Sequence, residues 1–236
     1  MKILGIIPSR MESKRLPGKP LKDINGKSMI QRVYESAIRC EKVNDLIIAT
    51  PNDEIIDHVK GFNGDVIKTS DKPINGTERV YEAYKKIDRE YDYIINIQGD
   101  EPFIKSEQIE DLIKICKEPN GICTLIKQEK FSDDLNKNSV MKVVKNINNE
   151  ALYFSRSLIP YGNTSLYNRH ICIYSYKPSI LKKIVHLQPT PHEISESLEQ
   201  LRWLENGFKI KLNSTDYDSF SIDTKSDLEK ARNLNL

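Results

Sequence analysis

The chain has 236 residues, which is enough for one large domain with a sizeable hydrophobic core. Hydrophobic residues make up 38% of the sequence and charged residues 30%, as in an ordinary globular protein. The 36 basic and 34 acidic residues leave a formal net charge of only +2, so the composition gives no reason to expect binding to nucleic acid or to a membrane surface.

Strands and helices alternate in the first half of the chain. Continuous apolar runs predict buried strands at residues 3–7, 46–50, 66–68 and 93–97. Apolar residues at helical spacing predict a helix at 28–40 with Ser28 as its N-cap, a short helix after Asp53, and a third helix opening at Asn75. This order, which continues to about Lys117, is typical of a parallel, doubly wound sheet with right-handed crossovers.

The pattern changes in the second half, where predicted strands follow one another without regular helices between them. We predict strands at 121–126, 139–146, 152–156, 170–176 and 208–212, and helices at 178–185, 195–206 and 224–234. Consecutive strands favour an antiparallel extension of the sheet. Since no linker or repeat separates the halves, we predict a single α/β domain, with residues 1–117 forming one half of it and residues 118–236 the other.

Targeting and redox features point to the cytoplasm. We expect no membrane helix, because no apolar run approaches the roughly 18 residues that one needs. We expect no signal peptide either, since the apolar start is short and is interrupted by Pro8 and Arg10. The cysteines lack the spacing of a zinc site or a disulfide framework, and we interpret them as buried thiols in a reducing compartment: Cys40, Cys116, Cys123 and Cys172.

A basic loop follows the first predicted strand. Within ten residues it carries four cations: Arg10, Lys14, Arg15 and Lys19. A polyphosphate would neutralise them, since Arg donates forked hydrogen bonds and Lys supplies a point charge, and Gly18 would let backbone amides approach phosphate oxygens. Neither the P-loop pattern nor the GxGxxG fingerprint is present. A solvated basic loop is the alternative interpretation.

An acidic turn follows the predicted strand at residues 93–97. Gly99 permits a tight turn, and the carboxylate of Asp100 should face the same cleft as the basic loop, because ligands bind beyond the carboxyl ends of parallel strands. Such a carboxylate is a natural ligand for Mg²⁺, although one protein carboxylate rarely suffices. Asp223 is the candidate second ligand. The alternative is that this segment only caps the last helix, with Asp223 or Thr224 as the N-cap residue.

Several segments carry, in order, a resemblance to a known family. They are Ile7-Pro8-Ser9-Arg10, residues 15–21, Asn75-Gly76-Thr77-Glu78-Arg79, residues 96–102, 140–144 and 151–160, Arg169-His170, residues 197–202, Asp223-Thr224 and residues 227–229. On these segments the chain resembles the CTP-dependent 3-deoxy-manno-octulosonate (Kdo) cytidylyltransferases, or CMP-Kdo synthetases, nearly from end to end. The loop and the acidic turn are shared with sialic-acid-activating relatives, whereas segments 151–160 and 199–200 are specific to the Kdo branch.

The resemblance implies a Rossmann-like nucleotidyltransferase fold that transfers CMP from CTP to the anomeric hydroxyl of Kdo, for lipopolysaccharide or capsule synthesis. It implies a homodimer, Mg²⁺ bound by Asp100 and Asp223, and catalytic roles for these two and for Arg10 and Lys19. The implied nucleotide-binding residues are Pro8, Ser9, Arg10, Arg15, Lys19, Thr69, Ser70, Asn75, Gly76, Thr77 and Gln98. The implied sugar-binding residues are Arg156, His170, Tyr174, Glu199 and Gln200.

Alternatives remain on the sugar side. His170 could be a satisfied strand histidine, Tyr174 a core residue, and Glu199 a partner of Arg202 on one helix face. The family usually has glycine where this chain has Cys172, Ser175 and Ser221, and the connection from Pro160 to Arg169 is short. The acceptor could therefore be a variant acidic sugar, such as an amino-Kdo or a sialic-acid-like sugar. From another class, the alternative is a catalytically inactive nucleotide-binding regulatory protein.

Overall fold

The computed structural model describes residues 1–13, 15–117, 119–162 and 164–234, and within it the chain forms two compact units. The first comprises residues 1–109 together with the segment that begins at Asp218, and the second comprises residues 110–217. Lys14, one of the four predicted cations, lies outside the described residues. That the chain is a single domain stays a prediction, and the compact units do not follow the chain order of its two predicted halves.

The first unit is built on four parallel strands. In chain order its strands are β1 (Ile3–Pro8), the short hairpin strands β2 (Asp23–Ile24) and β3 (Lys27–Ser28), β4 (Asp45–Thr50), β5 (Val66–Lys68) and β6 (Tyr93–Ile97). β1 lies between β6 and β4, and β5 flanks β4, with every pair parallel. The strands β1 and β6 are buried almost throughout, which explains why their sequences are continuously apolar.

Helices accompany this sheet, and apolar spacing predicts the first three of them. They are α1 (Met29–Ala37), α2 (Asp53–Gly61), α3 (Gly76–Lys85) and α4 (Ser106–Ile113), of which α4 continues into the second unit. The hydroxyl of Ser28 accepts a hydrogen bond from the amide of Gln31 and caps α1, as predicted. The side chain of Asn75 accepts one from the amide of Glu78 and caps α3. The caps fix where the polar segments between strands and helices end.

The second unit is mainly antiparallel. It contains the strands β7 (Ile122–Glu129), β8 (Lys142–Lys145), β9 (Ala151–Ser155), β10 (Tyr167–Tyr176) and β11 (Ile210–Ser214), and the helices α5 (Pro178–Ile184), α6 (Pro191–Glu196) and α7 (Glu199–Glu205). β10 pairs antiparallel with β7 and β8, β8 pairs antiparallel with β9, and β11 runs parallel to β7. The predicted α/β class with antiparallel strands in the second half is confirmed. After β11 the chain returns to the first unit and forms α8 (Lys225–Arg232).

Two local features differ from what the sequence predicts, for reasons that the backbone makes clear. The single helix predicted at 195–206 is two helices, because Ser197 has a φ of 53° and Leu198 is extended. The segment between the first predicted strand and the first predicted helix, for which we predict no regular structure, contains a 3-10 helix at Lys19–Leu21 and the β2–β3 hairpin. The hairpin turns at Asn25-Gly26, both with positive φ, and Asn-Gly is the sequence that such a turn favours.

A buried ion pair joins the two helices on either side of the break at Ser197. The guanidinium of Arg202 on α7 donates to both carboxylate oxygens of Glu193 on α6, at 2.6 and 2.5 Å, and to the carbonyl of Leu187 at 2.9 Å. Glu193 also forms the capping box of α6 with Thr190. Arg202 therefore pairs with Glu193 on the preceding helix.

The described cysteines are all free thiols, with Cys40, Cys116 and Cys123 buried and Cys172 half-buried. Among the described residues, no helix combines the length and the apolar character needed to cross a membrane.

Candidate active site

A cleft of about 770 Å³ opens in the first unit, where β1 and β6 end and α3 begins. It is lined by Pro8, Ser9, Arg10, Met11, Glu12, Ser13, Arg15, Pro17, Lys19, Pro20, Asn75, Gly76, Arg79, Gln98, Gly99, Asp100 and Asp223. The basic loop and the acidic turn thus face one cavity, as the positions of their strands predict.

The basic loop is fixed by its own backbone and by one apolar anchor. Gly18 has a φ of 67°, a left-handed conformation that favours glycine, and its amide donates to the carbonyl of Met11 at 3.1 Å. Leu16 is buried in a cluster with Ile24, Met29, Ile222, Leu228 and Ala231. Lys19, which begins the 3-10 helix directly after Gly18, is therefore presented to the cleft from a rigid backbone.

Two carboxylates converge on the cations of this loop. The ammonium nitrogen of Lys19 lies 2.7 Å from Asp100 Oδ2 and 3.0 Å from Asp223 Oδ1. Arg15 Nη2 lies 2.9 Å from the same Oδ1 of Asp223. Burial by itself would lower the pKa of Lys19, but the negative charges and hydrogen bonds of Asp100 and Asp223 outweigh it and raise the pKa above the ordinary value. Lys19 is therefore a cation throughout the physiological range.

The two aspartates are brought together by the segment that returns to the first unit. The amide of Ile222 donates to the carbonyl of Asp100 at 2.9 Å, and the Ile222 side chain is fully buried in the cluster with Leu16. Thr224, not Asp223, caps α8, because the Thr224 hydroxyl accepts from the amide of Asp227. Asp223 is therefore not the N-cap of α8. Its carboxylate pairs instead with Lys19 and Arg15.

Glycine at position 99 is required by a close backbone approach. A Cβ atom added to Gly99 would lie 2.8 Å from the carbonyl oxygen of Pro8, which is backbone and cannot rotate away. The acidic turn and the end of β1 are thereby held in contact, and the distance between the basic loop and Asp100 depends on this contact.

We predict that Gly99→Ala lowers both stability and activity. The clash with Pro8 has to be relieved by moving backbone, which costs about 1–3 kcal/mol and displaces Asp100. Thermal unfolding and turnover measure the two effects. Gly61→Ala is the matched control, because nothing lies within 4 Å of a Cβ added there at the end of α2. Equal behaviour of the two variants would contradict the prediction.

The implied nucleotide-binding residues divide into two groups. Eight of them line the cleft: Pro8, Ser9, Arg10, Arg15, Lys19, Asn75, Gly76 and Gln98. Three are not among the described residues that line it: Thr69, Ser70 and Thr77, of which Thr69 and Thr77 are buried. The hydroxyl of Ser9 is buried and finds no hydrogen-bond partner in the described part of the chain, so a ligand in the cleft would satisfy it.

Arg79 also lines the cleft, although its sequence segment implies no role for it. It is only 3% exposed, and its guanidinium donates to the hydroxyl of Thr69 at 2.6 Å and to the carbonyl of Ser70 at 3.0 Å. Burial, followed by the nearby charge of Arg10, lowers its pKa below the ordinary value, yet a guanidinium stays charged. The sequence feature that points to Arg79 is its place in the Asn75–Arg79 segment, about one helical turn after the residue that caps α3.

The residues implied for sugar binding all lie in the second unit, and two of them, His170 and Tyr174, are in ring contact. The ring centroid of Tyr174 lies 5.3 Å from that of His170 and 5.2 Å from that of Trp203. The charge of Glu199 contributes to raising the pKa of Tyr174, after the larger effect of burial. Gln200 is buried on α7, and its amide nitrogen has no hydrogen-bond partner among the residues described.

Arg156 makes a different set of contacts. Its guanidinium donates to the backbone carbonyls of Glu196, Asn138 and Ser197, at 2.8, 2.9 and 3.2 Å. These bonds tie the end of β9 to the break between α6 and α7. Cys172 and Ser175 stand where the family usually has glycine. Cys172 lies beside His170, with Sγ 3.8 Å from Nδ1, and Ser175 is buried against the thiol of Cys116.

His170 is neutral at physiological pH. Its ring packs edge-on against Phe154 at 5.0 Å, and Nε2 lies 3.0 Å from the Thr124 hydroxyl. Burial lowers its pKa from 6.5 to about 3. The ring can therefore form a hydrogen bond with a ligand, but it does not supply a positive charge there.

The low pKa of His170 predicts a stability loss in mild acid. The unfolded chain binds a proton below about pH 6.5 and the folded chain does not, so stability is full above that pH and falls as the pH drops towards 3. Between pH 7 and pH 5 this amounts to about 2 kcal/mol. We expect urea unfolding of His170→Gln to show a smaller loss over this interval. The control His192→Gln, at a more exposed ring, should behave like the wild type, and a wild-type loss in His170→Gln would refute the assignment.

The described residues contain no group of three or more His, Cys, Asp and Glu side chains that could hold a metal ion by themselves. Asp100 and Asp223 are a pair of hard oxygen donors that already bracket one cation, the Lys19 ammonium. Such a pair fits Mg²⁺, which takes few protein carboxylates and completes its shell with phosphate oxygens and water.

Comparison with known proteins identifies the family. The family described as Cytidylyltransferase matches residues 4–210. The 3-deoxy-manno-octulosonate cytidylyltransferase of Parabacteroides distasonis is 48% identical over 98% of this chain and 97% of its own length, and that of Bacteroides thetaiotaomicron is 45% identical over the same shares. A solved structure of CMP:2-keto-3-deoxy-manno-octonic acid synthetase complexed with CTP matches with a TM-score of 0.91 at 36% identity, over 98% of this chain and 97% of that one. The chain belongs to the 3-deoxy-manno-octulosonate cytidylyltransferase family.

Proposed function

We propose that the protein transfers CMP from CTP to the anomeric hydroxyl of Kdo, giving CMP-Kdo and pyrophosphate. One observation carries the proposal: Arg15, Lys19, Asp100 and Asp223 converge in a single cleft at the ends of parallel strands. Cations for a triphosphate and carboxylates for its metal ion are what nucleotidyl transfer requires, because the reaction depends on positioning and charge neutralisation. The close relatives named for this activity support it.

Within the cleft, each charged group would have a distinct task. Arg10, Arg15 and Lys19 would neutralise the triphosphate, with Arg15 giving forked contacts and Lys19 a point charge. Asp100 and Asp223 would hold Mg²⁺, which supplies charge neutralisation and polarisation at phosphate oxygens when bound. Arg79 would keep the Thr69–Ser70 segment in place behind the nucleotide. No covalent enzyme intermediate is needed, since the sugar hydroxyl attacks the α-phosphate directly and pyrophosphate leaves.

On the sugar side we propose that His170, Tyr174, Glu199 and Gln200 contact the acceptor. The buried amide nitrogen of Gln200, which has no hydrogen-bond partner in the described part of the chain, supports this, because a hydroxyl or carboxylate oxygen would satisfy it. The three carbonyl contacts of Arg156 favour a positioning role for that residue. Cys172 stands where the family usually has glycine, and it lies beside His170, so its side chain would change the shape of the acceptor site. A variant acidic sugar is therefore the second candidate acceptor.

An acceptor panel tests the proposal. The protein is incubated with CTP or UTP, Mg²⁺ and one acid from a set that includes Kdo, an amino-Kdo and a sialic acid, and mass spectrometry detects the nucleotide sugar. We expect CMP-Kdo and an equal amount of pyrophosphate. A CMP-amino-Kdo or CMP-sialate product would show that the acceptor is a different acidic sugar and that the reaction is still the transfer of CMP. CTP binding by calorimetry with no product from any acceptor would favour a regulatory nucleotide-binding protein instead.

We also propose that the protein is a homodimer and that it acts in the cytoplasm. Its product would serve the synthesis of lipopolysaccharide or capsule. The second unit exposes large apolar side chains, which favours a protein contact there: Phe131, Ile147, Leu152, Tyr161 and Leu166. Free thiols favour a reducing compartment. Light scattering after size exclusion measures the mass, and a monomer at micromolar concentration would contradict the dimer.

A further inference from the structure

We propose that Lys19 and Arg15 serve as internal counter-cations of the Asp100–Asp223 pair, so that a divalent metal ion binds weakly until a triphosphate draws these cations away. The inference rests on the proposed function, which assigns the same two cations to the triphosphate. It adds that metal and nucleotide binding are positively coupled through a change of partner by Lys19 and Arg15.

The competition follows from the cations that the two carboxylates already hold. The Lys19 ammonium lies within hydrogen-bond distance of one oxygen of each carboxylate, at 2.7 Å from Asp100 Oδ2 and 3.0 Å from Asp223 Oδ1. Arg15 donates to Asp223 Oδ1 as well. A metal ion held by both carboxylates would share their negative charge with Lys19, and its two positive charges would repel the nearby ammonium strongly in a partly buried site. The metal therefore has to displace Lys19 or leave part of the pair unused.

Burial ranks the two counter-cations. The Lys19 side chain is 15% exposed and touches both carboxylates, whereas Arg15 is 64% exposed and touches only Asp223. Exposed ion pairs contribute little because water screens them, while a buried cation is more strongly bound to its partners. Lys19 should account for most of the competition and Arg15 for a smaller part.

A change of partner is open to the side chain of Lys19 without movement of its backbone. Gly18 and the 3-10 helix fix the backbone on either side, and Leu16 anchors the loop in the apolar cluster. The four-carbon stem of lysine has freely rotating bonds and ends in three donors, so it can turn from carboxylate to phosphate oxygens. A triphosphate in the cleft would thus supply the new partners and leave Asp100 and Asp223 to the metal.

The test measures the binding of Mn²⁺ to the nucleotide-free protein. Electron paramagnetic resonance monitors the concentration of the free ion. We expect Lys19→Gln to bind Mn²⁺ at least about tenfold more tightly than the wild type, and Arg15→Gln to show a smaller gain. Lys22→Gln is the matched control, since it removes the same charge from the same loop at a residue that does not line the cleft. Adding Asp223→Asn to Lys19→Gln should abolish the gain and so assign the site.

Unchanged or weaker Mn²⁺ binding by Lys19→Gln would overturn the proposal, and so would an equal gain in Lys22→Gln, which would reflect net charge alone. Thermal unfolding checks that each variant is folded. If Lys19→Gln does not fold, Arg15→Gln decides the matter, because its exposed side chain can be replaced without loss of core packing. The experiment uses no acceptor and no CTP, so a failed acceptor panel and a failed Mn²⁺ measurement are separate results.

Discussion

Replacing Asp100 with asparagine should lower the turnover number by about a thousandfold or more, which corresponds to about 4 kcal/mol of lost transition-state stabilisation. Asparagine keeps the size of the side chain and one oxygen but removes the negative charge that would hold the metal ion. It also removes a partner of Lys19, at 2.7 Å, so the charge arrangement of the whole cleft changes. Asp223→Asn should behave similarly, because both carboxylates face the same cation.

Steady-state kinetics with CTP and the preferred acceptor measure this effect. We expect the loss mainly in kcat, since the metal ion contributes more to the transition state than to the ground state. Asp57→Asn on the exposed face of α2 makes the same chemical change away from the cleft and should leave kcat within about twofold. If Asp100→Asn retained a tenth or more of the wild-type kcat, the metal role of this residue would be wrong.

Replacing Glu193 with glutamine should destabilise the protein by about 3–5 kcal/mol, the usual cost of leaving one member of a buried ion pair without its partner. The Arg202 side chain is 5% exposed and directs two hydrogen bonds at the Glu193 carboxylate. Glutamine preserves the size of the side chain and can still serve in the capping box of α6. The variant therefore isolates the loss of charge on a helix pair that carries Glu199 and Gln200.

Urea unfolding followed by circular dichroism measures the stability change of Glu193→Gln. Glu150→Gln is the comparison, because it removes a carboxylate that pairs with Lys209, whose side chain is 78% exposed. Water screens such a surface pair, so we expect no measurable change there. Equal unfolding midpoints for both variants would show that the Arg202 pair contributes nothing beyond a surface contact.

Much of the first unit could be predicted because local and long-range requirements agree there. The runs at β1 and β6 are apolar because both faces of these strands are buried, and Ser28 and Asn75 cap the helices that the spacing predicts. The order of strands and helices was then enough to bring the basic loop and Asp100 into one cleft. The antiparallel character of the second half was also visible, in the absence of helices between its strands.

Other features depend on contacts that no local pattern encodes. Lys19 and Asp223 are 204 residues apart, and they are brought together by the packing of Ile222 in the cluster with Leu16 and by its hydrogen bond to Asp100. The break at Ser197 was missed because serine has no strong preference for the left-handed region; the backbone there is stabilised by the Glu193–Arg202 pair and by Arg156. The role of Arg79 was missed because a charged residue on a helix is usually exposed, whereas this one is buried.

The return of the chain to its first unit at Asp218 has a consequence for biosynthesis. Ribosomes make the chain from its N-terminus, so the basic loop and the acidic turn are complete long before Ile222 and Asp223 exist. Until then the apolar side of Leu16 and Met29 lacks Ile222 and Leu228, and Lys19 has only one of its two carboxylate partners. A nascent chain arrested before Asp218 therefore lacks one of the two carboxylates that contact Lys19. The segment from Asp218 onward brings Asp223 to the cleft, so the charge arrangement around Lys19 is complete only after this segment has been made.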